Sequence, residues 1–251
     1  MAGRPSMSMG SVRRHDRRRA PKTSERVALD IVHDIVAQGL ATGARLPLEV
    51  EMVEQYGVSR TSLREALRLL EVQGLIRLKP GPGGGPVVGA VEPTHLARTL
   101  SLYFHLASAS YGQLLKTQVR LEPVCAEMAA QSPARKDVMR PYTRVAQPET
   151  TPEYHRHTID FHAAVYSLVD DPVLTLLTQA ITQMVTYHVV ATMDPVDLHG
   201  GIMEEHAAMA KAIAGGHAAK ARRLMAEHFQ AQHDYYAKRA PSRLADLIEW
   251  R

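Results

Sequence analysis

Eleven of the thirteen histidines lie after residue 92, and three of them fall where helices can bring imidazoles together. His206 stands nine residues before the Gly215-Gly216 turn and His228 twelve residues after it. At about 1.5 Å per residue, an antiparallel helix pair closed by that turn places the two at the same level to within about one helical turn. His162, in Ile159-Asp160-Phe161-His162, would come from an earlier helix. Three imidazoles converging from three helices form a ligand set for Zn²⁺, Ni²⁺ or a similar divalent cation, with positions left for water or a carboxylate. The same residues also read as scattered polar positions of an amphipathic bundle, and spacing does not separate the two. A metal-dependent hydrolase would use the same cluster with a bound water. It needs a general base, however, and Glu204 and Glu205 neighbour His206 in sequence and so turn away from it. Arg120 sits on a helix otherwise lined by Leu114, Leu115, Leu121, Val124 and Met128. It would be a ready partner for a carboxylate, or alternatively would pair with Glu122 or Glu127.

A second constellation is Ser59-Arg60-Thr61-Ser62-Leu63-Arg64-Glu65-Ala66-Leu67-Arg68. Leu63, Ala66, Leu67 and Leu70 make a buried helical stripe, which leaves Arg60, Thr61, Arg64 and Arg68 facing outward. Arginine bonds guanine O6 and N7 in a bidentate way, and hydroxyls bond phosphate. A helix N-terminus adds free N–H groups and a favourable dipole for phosphate.

The elements that must position these residues are legible from punctuation. A helix runs from the N-cap Ser24 through Val27, Ile31, Ile35 and Val36 to Gly39; a short one follows from Leu48 to Tyr56 and stops at Gly57; a third runs from Ser59 to Gln73. Leu75–Lys79 and Val87–Val91 flank the glycine-rich Gly81-Pro82-Gly83-Gly84-Gly85 and read as a hairpin. Three helices closed by a hairpin make a winged helix-turn-helix. The glycine run matches neither phosphate-loop pattern, and a strand rather than a helix follows it. After Glu92-Pro93, helices are expected over 94–109, 111–131, 152–168, 172–193, 197–214 and 217–239, with no strand-like alternation. The expected fold class is therefore mainly α: a basic arm over residues 1–22, a winged helix-turn-helix over 23–91, an all-α helical bundle over 92–240 and a C-terminal tail over 241–251 that reads either as a short extra helix or as a frayed end.

Charge follows the same division. The net +4 splits into +5 for residues 1–91 and −1 for the remainder, and the arm alone carries more than the whole surplus. The lone Cys125 excludes an internal disulfide. The chain has no run of 18 apolar residues and its arginine-rich start lacks a signal-peptide core, so the expectation is a cytoplasmic protein with no membrane partner.

Residues 46–81, LPLEVEMVEQYGVSRTSLREALRLLEVQGLIRLKPG, resemble the DNA-binding domain of the GntR family of bacterial transcription regulators. Residues 94–239 are similar, more loosely, to the FCD effector domain of the FadR-like branch, through Arg120-Leu121-Glu122-Pro123, Asp160-Phe161-His162, Glu205-His206 and Met225-x-x-His228. The resemblance implies a homodimer on a palindromic double-stranded DNA operator, most often a repressor. Arg60 and Arg64 would contact base or phosphate, Ser59, Thr61 and Ser62 phosphate, and the wing tip near Gly81 the minor groove. It also implies a divalent metal, Zn or Ni, on His162, His206 and His228, beside which a small organic acid or acyl effector would bind, with Arg120 as a contact. Two departures stand out. Leu48-Glu49-Val50 replaces the usual cap and lacks an arginine, and Thr158 stands four residues before His162 where the family has aspartate. Thr158 would then hydrogen-bond beside the site. A dimeric DNA-binding protein whose bundle holds only a vestigial pocket is the alternative.

Overall fold

The computed structural model of the chain describes residues 22–81, 83–190 and 199–250. It packs as two units, Met1–Val91 and Glu92–Arg251. The arm expected over residues 1–22 lies outside the described residues but for Lys22.

In the first unit, helix α1 (Thr23–Ala37) is followed by α2 (Glu49–Tyr56) and α3 (Arg60–Val72). Val27, Ala28 and Ile31 of α1 pack with Leu63, Ala66, Leu67 and Leu70 of α3 and Met52 of α2 in one core. Between α2 and α3 the chain reverses at Gly57, whose φ of 61° is left-handed, a conformation that glycine adopts without a Cβ penalty. Strands β1 (Ile76–Lys79) and β2 (Gly85–Val88) pair antiparallel with Ile76 opposite Val88 and Lys79 opposite Gly85. The segment before α2 joins this hairpin: Leu46 N–H donates to Pro86 O at 3.0 Å, and Val88 N–H to Ala44 O at 2.9 Å. Ser24 is not the cap of α1. The cap lies two residues earlier, at Lys22, whose N–H donates to Glu25 Oε2 at 3.1 Å, while Ser24 is buried inside the first turn.

The second unit holds α4 (Pro93–Leu106), α5 (Tyr111–Ala129), α6 (Arg135–Met139), a 3₁₀ turn (Arg140–Tyr142), α7 (Thr151–Ser167), α8 (Pro172–His188), α9 (His199–Ala214), α10 (Ala218–Arg239) and α11 (Pro241–Ala245). Two apolar cores lie along it. One joins Cys125, Ala126 and Ala129 of α5 with Phe161 and Val165 of α7, Met209 and Ile213 of α9, and Met225 and Phe229 of α10. The other joins Tyr111, Leu114 and Leu115 of α5 with Ala97 of α4, Ile181, Met184 and Val185 of α8, and Tyr236 of α10. Antiparallel α5 and α10 thus contribute to both.

Three expectations change. The segment between Pro133 and Pro148 contains α6 and the 3₁₀ turn, because Met139 is buried and pulls a short helix onto the core. Helix α8 ends at His188 rather than continuing to 193, and residues 191–198 lie outside the described residues. The C-terminal tail is no separate appendage: Leu244 and Ile248 are buried in the second core, Tyr111 N–H donates to Asp246 O at 3.1 Å, and Ile248 N–H to Ala109 O at 2.9 Å.

Candidate functional site

Ser59 caps α3, its Oγ accepting from Ser62 N–H at 3.1 Å and lying 3.0 Å from Ser62 Oγ. The cap fixes the first turn of the helix and leaves the side chains of Arg60, Thr61, Arg64 and Arg68 exposed on one end and face. Arg64 Nε donates to Glu49 Oε2 of α2 at 2.9 Å, an exposed ion pair. Arg60 has no ion-pair partner among the described residues. The cap of α2 is better than Leu48 suggests, because Leu48 N–H donates to Glu51 Oε2 at 2.7 Å. Gly81 sits at the hairpin tip with φ 90°.

In the helical unit, α7, α9 and α10 bring His162, His206 and His228 together, with one ring nitrogen of each within 4.8 Å of the others. Ring centroids lie 5.2 Å apart for His162 and His206, 5.7 Å for His162 and His228, and 5.1 Å for His206 and His228. All three are buried. Phe161 stacks on His206 at 4.2 Å and closes one side. Both ring nitrogens of His206, Nδ1 of His162 and Nδ1 of His157 are buried without hydrogen-bond partners, as is Thr158 Oγ1. Buried polar atoms are rarely left unpaired, so this concentration fits a group that the side chains themselves do not supply. Burial, and secondarily His228, lowers the pKa of His162 to about 3, and burial with the neighbouring imidazoles pushes that of His206 well below its ordinary value. Both rings are therefore neutral, the form in which a histidine ligates a metal.

The surroundings hold further groups, some of them placed differently from what the sequence suggests. Glu205 Oε2 lies 2.5 Å from His228 Nδ1, so Glu205 does not turn away from the cluster. Its neighbour position on α9 directs it toward α10, and its long side chain spans the gap. Gln232 Nε2 lies 2.7 Å from His228 Nε2; at four residues beyond His228 it occupies the same helix face, a spacing the sequence displayed. Glu205 also lines a cleft of about 270 Å³ with Glu204, Ala208, Leu224, Glu227 and His228. His157 stacks on His206 at 6.2 Å. Deeper in the bundle, fully buried Glu122 accepts through Oε1 from Tyr166 Oη and, at 2.7 Å, from Thr182 Oγ1. Burial raises its pKa to about 7, against the lowering effect of those hydrogen bonds. Arg120, two residues earlier, stands on the exposed face of α5. Its placement gives no support to an effector contact inside the cluster.

Residues 23–84 match the family described as bacterial regulatory proteins, gntR family, and residues 113–231 match the FCD domain. The chain belongs to the GntR family, with an FCD effector domain. Among GntR relatives it is 29% identical to the Uxu operon regulator of Haemophilus influenzae, over 83% of this chain and 80% of that one. It is 30% identical to the Exu regulon transcriptional regulator of Escherichia coli K12, over 46% of this chain and 44% of that one. A solved GntR structure from Streptococcus agalactiae shares the fold at a TM-score of 0.62 with 19% identity, covering 84% of this chain and 99% of that one. These families and relatives are transcription regulators, not enzymes, and this GntR chain is a DNA-binding transcriptional regulator of the FCD type. Among the described residues no helix is long and apolar enough to cross a membrane.

Proposed function

We propose that this regulator binds a palindromic double-stranded operator as a homodimer and represses it until a small organic acid or acyl effector binds the helical unit. Arg60 and Arg64 would meet base edges or phosphate, Ser59, Thr61 and Ser62 phosphate, and the wing near Gly81 the minor groove. The effector would bind at a divalent cation, Zn²⁺ or Ni²⁺, held by His162, His206 and His228. Fully buried His206, with neither ring nitrogen partnered, is the observation that carries this reading. A bound cation supplies positive charge on which a carboxylate can settle. The chain itself provides neutral imidazoles at His162 and His206, the aromatic face of Phe161 stacked on His206, and a hydroxyl at Thr158 one helical turn before His162. The relatives named for the Uxu operon and the Exu regulon support control of an operon by this chain.

Metal analysis after Zn²⁺ or Ni²⁺ loading, on the native chain and on His206→Ala combined with His228→Ala, tests the site. Near-stoichiometric metal in the first and none in the second is expected. No metal in either ends the claim. Titrating organic acids into a gel-shift of the operator upstream of the flanking genes tests the control, and an operator band indifferent to every acid leaves only constitutive DNA binding.

A further inference from the structure

The three imidazoles differ in what occupies their nitrogens. His206 has both free and His162 has Nδ1 free, but His228 has both engaged, with Glu205 on Nδ1 and Gln232 on Nε2. A carboxylate only accepts, so Nδ1 carries the hydrogen and Nε2 presents the lone pair, to which the Gln232 amide nitrogen donates. That lone pair is what a cation needs. A carboxylate on Nδ1 is the arrangement that fixes a ligating imidazole with Nε2 forward and raises its basicity. Glu205 therefore prepares His228 to ligate, while Gln232 sits on the ligating atom. Gln232 is only half-buried, one helical turn along α10, so its side chain has room to leave.

We propose that Gln232 is a displaceable cap on His228 Nε2, closing that lone pair while no cation is present and yielding it when one binds, so that Gln232 lowers and Glu205 raises the affinity of the cluster for divalent cations. The inference rests on the reading that the cluster holds a metal. It makes the absence of aspartate at position 158 intelligible: with three imidazoles as ligands, Glu205 delivers negative charge to the site through His228 rather than by direct ligation.

Calorimetric titration of the full chain with Ni²⁺, paralleled by the visible absorption of Co²⁺, separates the two roles. Gln232→Ala and Gln232→Met, which both remove the donor, are expected to bind Ni²⁺ about fivefold more tightly, the equivalent of one ordinary hydrogen bond no longer broken. Glu205→Gln is expected to bind about tenfold or more weakly. Circular dichroism of the cation-free proteins should be unchanged, and a merely structural role would move all variants in one direction. Equal or weaker binding by both Gln232 variants overturns the cap while leaving the metal site standing. Binding by none of the proteins, native included, overturns the metal reading and the cap with it.

Discussion

Arg60 and Arg64 lie one helical turn apart and differ in what holds them. Arg64 is tied to Glu49, whereas Arg60 stands clear of any described carboxylate. Replacing Arg60 with alanine should remove about 1–3 kcal/mol of discrimination between operator and random DNA, read by competition gel-shift. Glu49→Ala frees Arg64 and deletes a negative charge beside the phosphates. Since an exposed pair contributes about 0–1 kcal/mol, it should tighten DNA binding severalfold with little change in denaturation midpoint. A large loss of stability would show that the pair instead holds α2 to α3. The arginines were legible because Ser59 and the Leu63, Ala66, Leu67 stripe fix which face is outward. The histidine triad was legible in outline because Gly215-Gly216 sets the level of His206 against His228. Glu205 was not, since adjacency to His206 says where its Cα points and nothing of how far a glutamate reaches.

Among the elements, those with a full apolar stripe followed the pattern in the sequence, and those made by tertiary packing did not. Five residues of α6 carry too few turns to show a period, and the helix exists because Met139 fits the core. The closing segment around α11 is as short and shows no period of its own, so only its burial tells a docked helix from a frayed end. Since Ile248 is almost fully buried, Ile248→Ala should cost about 2–5 kcal/mol in urea unfolding, and a cost near zero would restore the reading as a tail. Helix α5 supplies the pH dependence. The pKa of Glu122 is raised in the folded chain from 4.5 to about 7, so the folded state binds the extra proton between those values. Its contribution is fully present below the unfolded value and is lost as pH rises through about 7. Glu122→Gln keeps acceptors for Tyr166 and Thr182 without the charge. The stability of the native chain relative to this variant should fall from pH 4.5 to 7, measured by denaturant unfolding without metal. A difference that stays flat or rises would mean that the carboxyl is ionised throughout.

For the whole chain, net charge is a poor guide to DNA binding, because the surplus sits in residues 1–22 and the remainder is net negative. Where Arg60 stands matters more than how many arginines there are. A cation that binds only the folded helical unit stabilises it by about 2.7 kcal/mol at a hundred times its dissociation constant, so chelation should lower the melting temperature of the native chain and leave that of His206→Ala unmoved. An effector that weakens operator binding must itself be weakened by operator to the same factor, which calorimetry with and without DNA measures. The shared helices α5 and α10 add something about how the second unit comes apart. Each contributes side chains to both apolar cores. Opening of one core is expected to propagate into the other along these two helices. The slowest-exchanging amides should therefore come from both ends of α5 and α10 and share one opening energy. Occupancy around His228 would then slow hydrogen exchange around Tyr236, at the far end of the same rod.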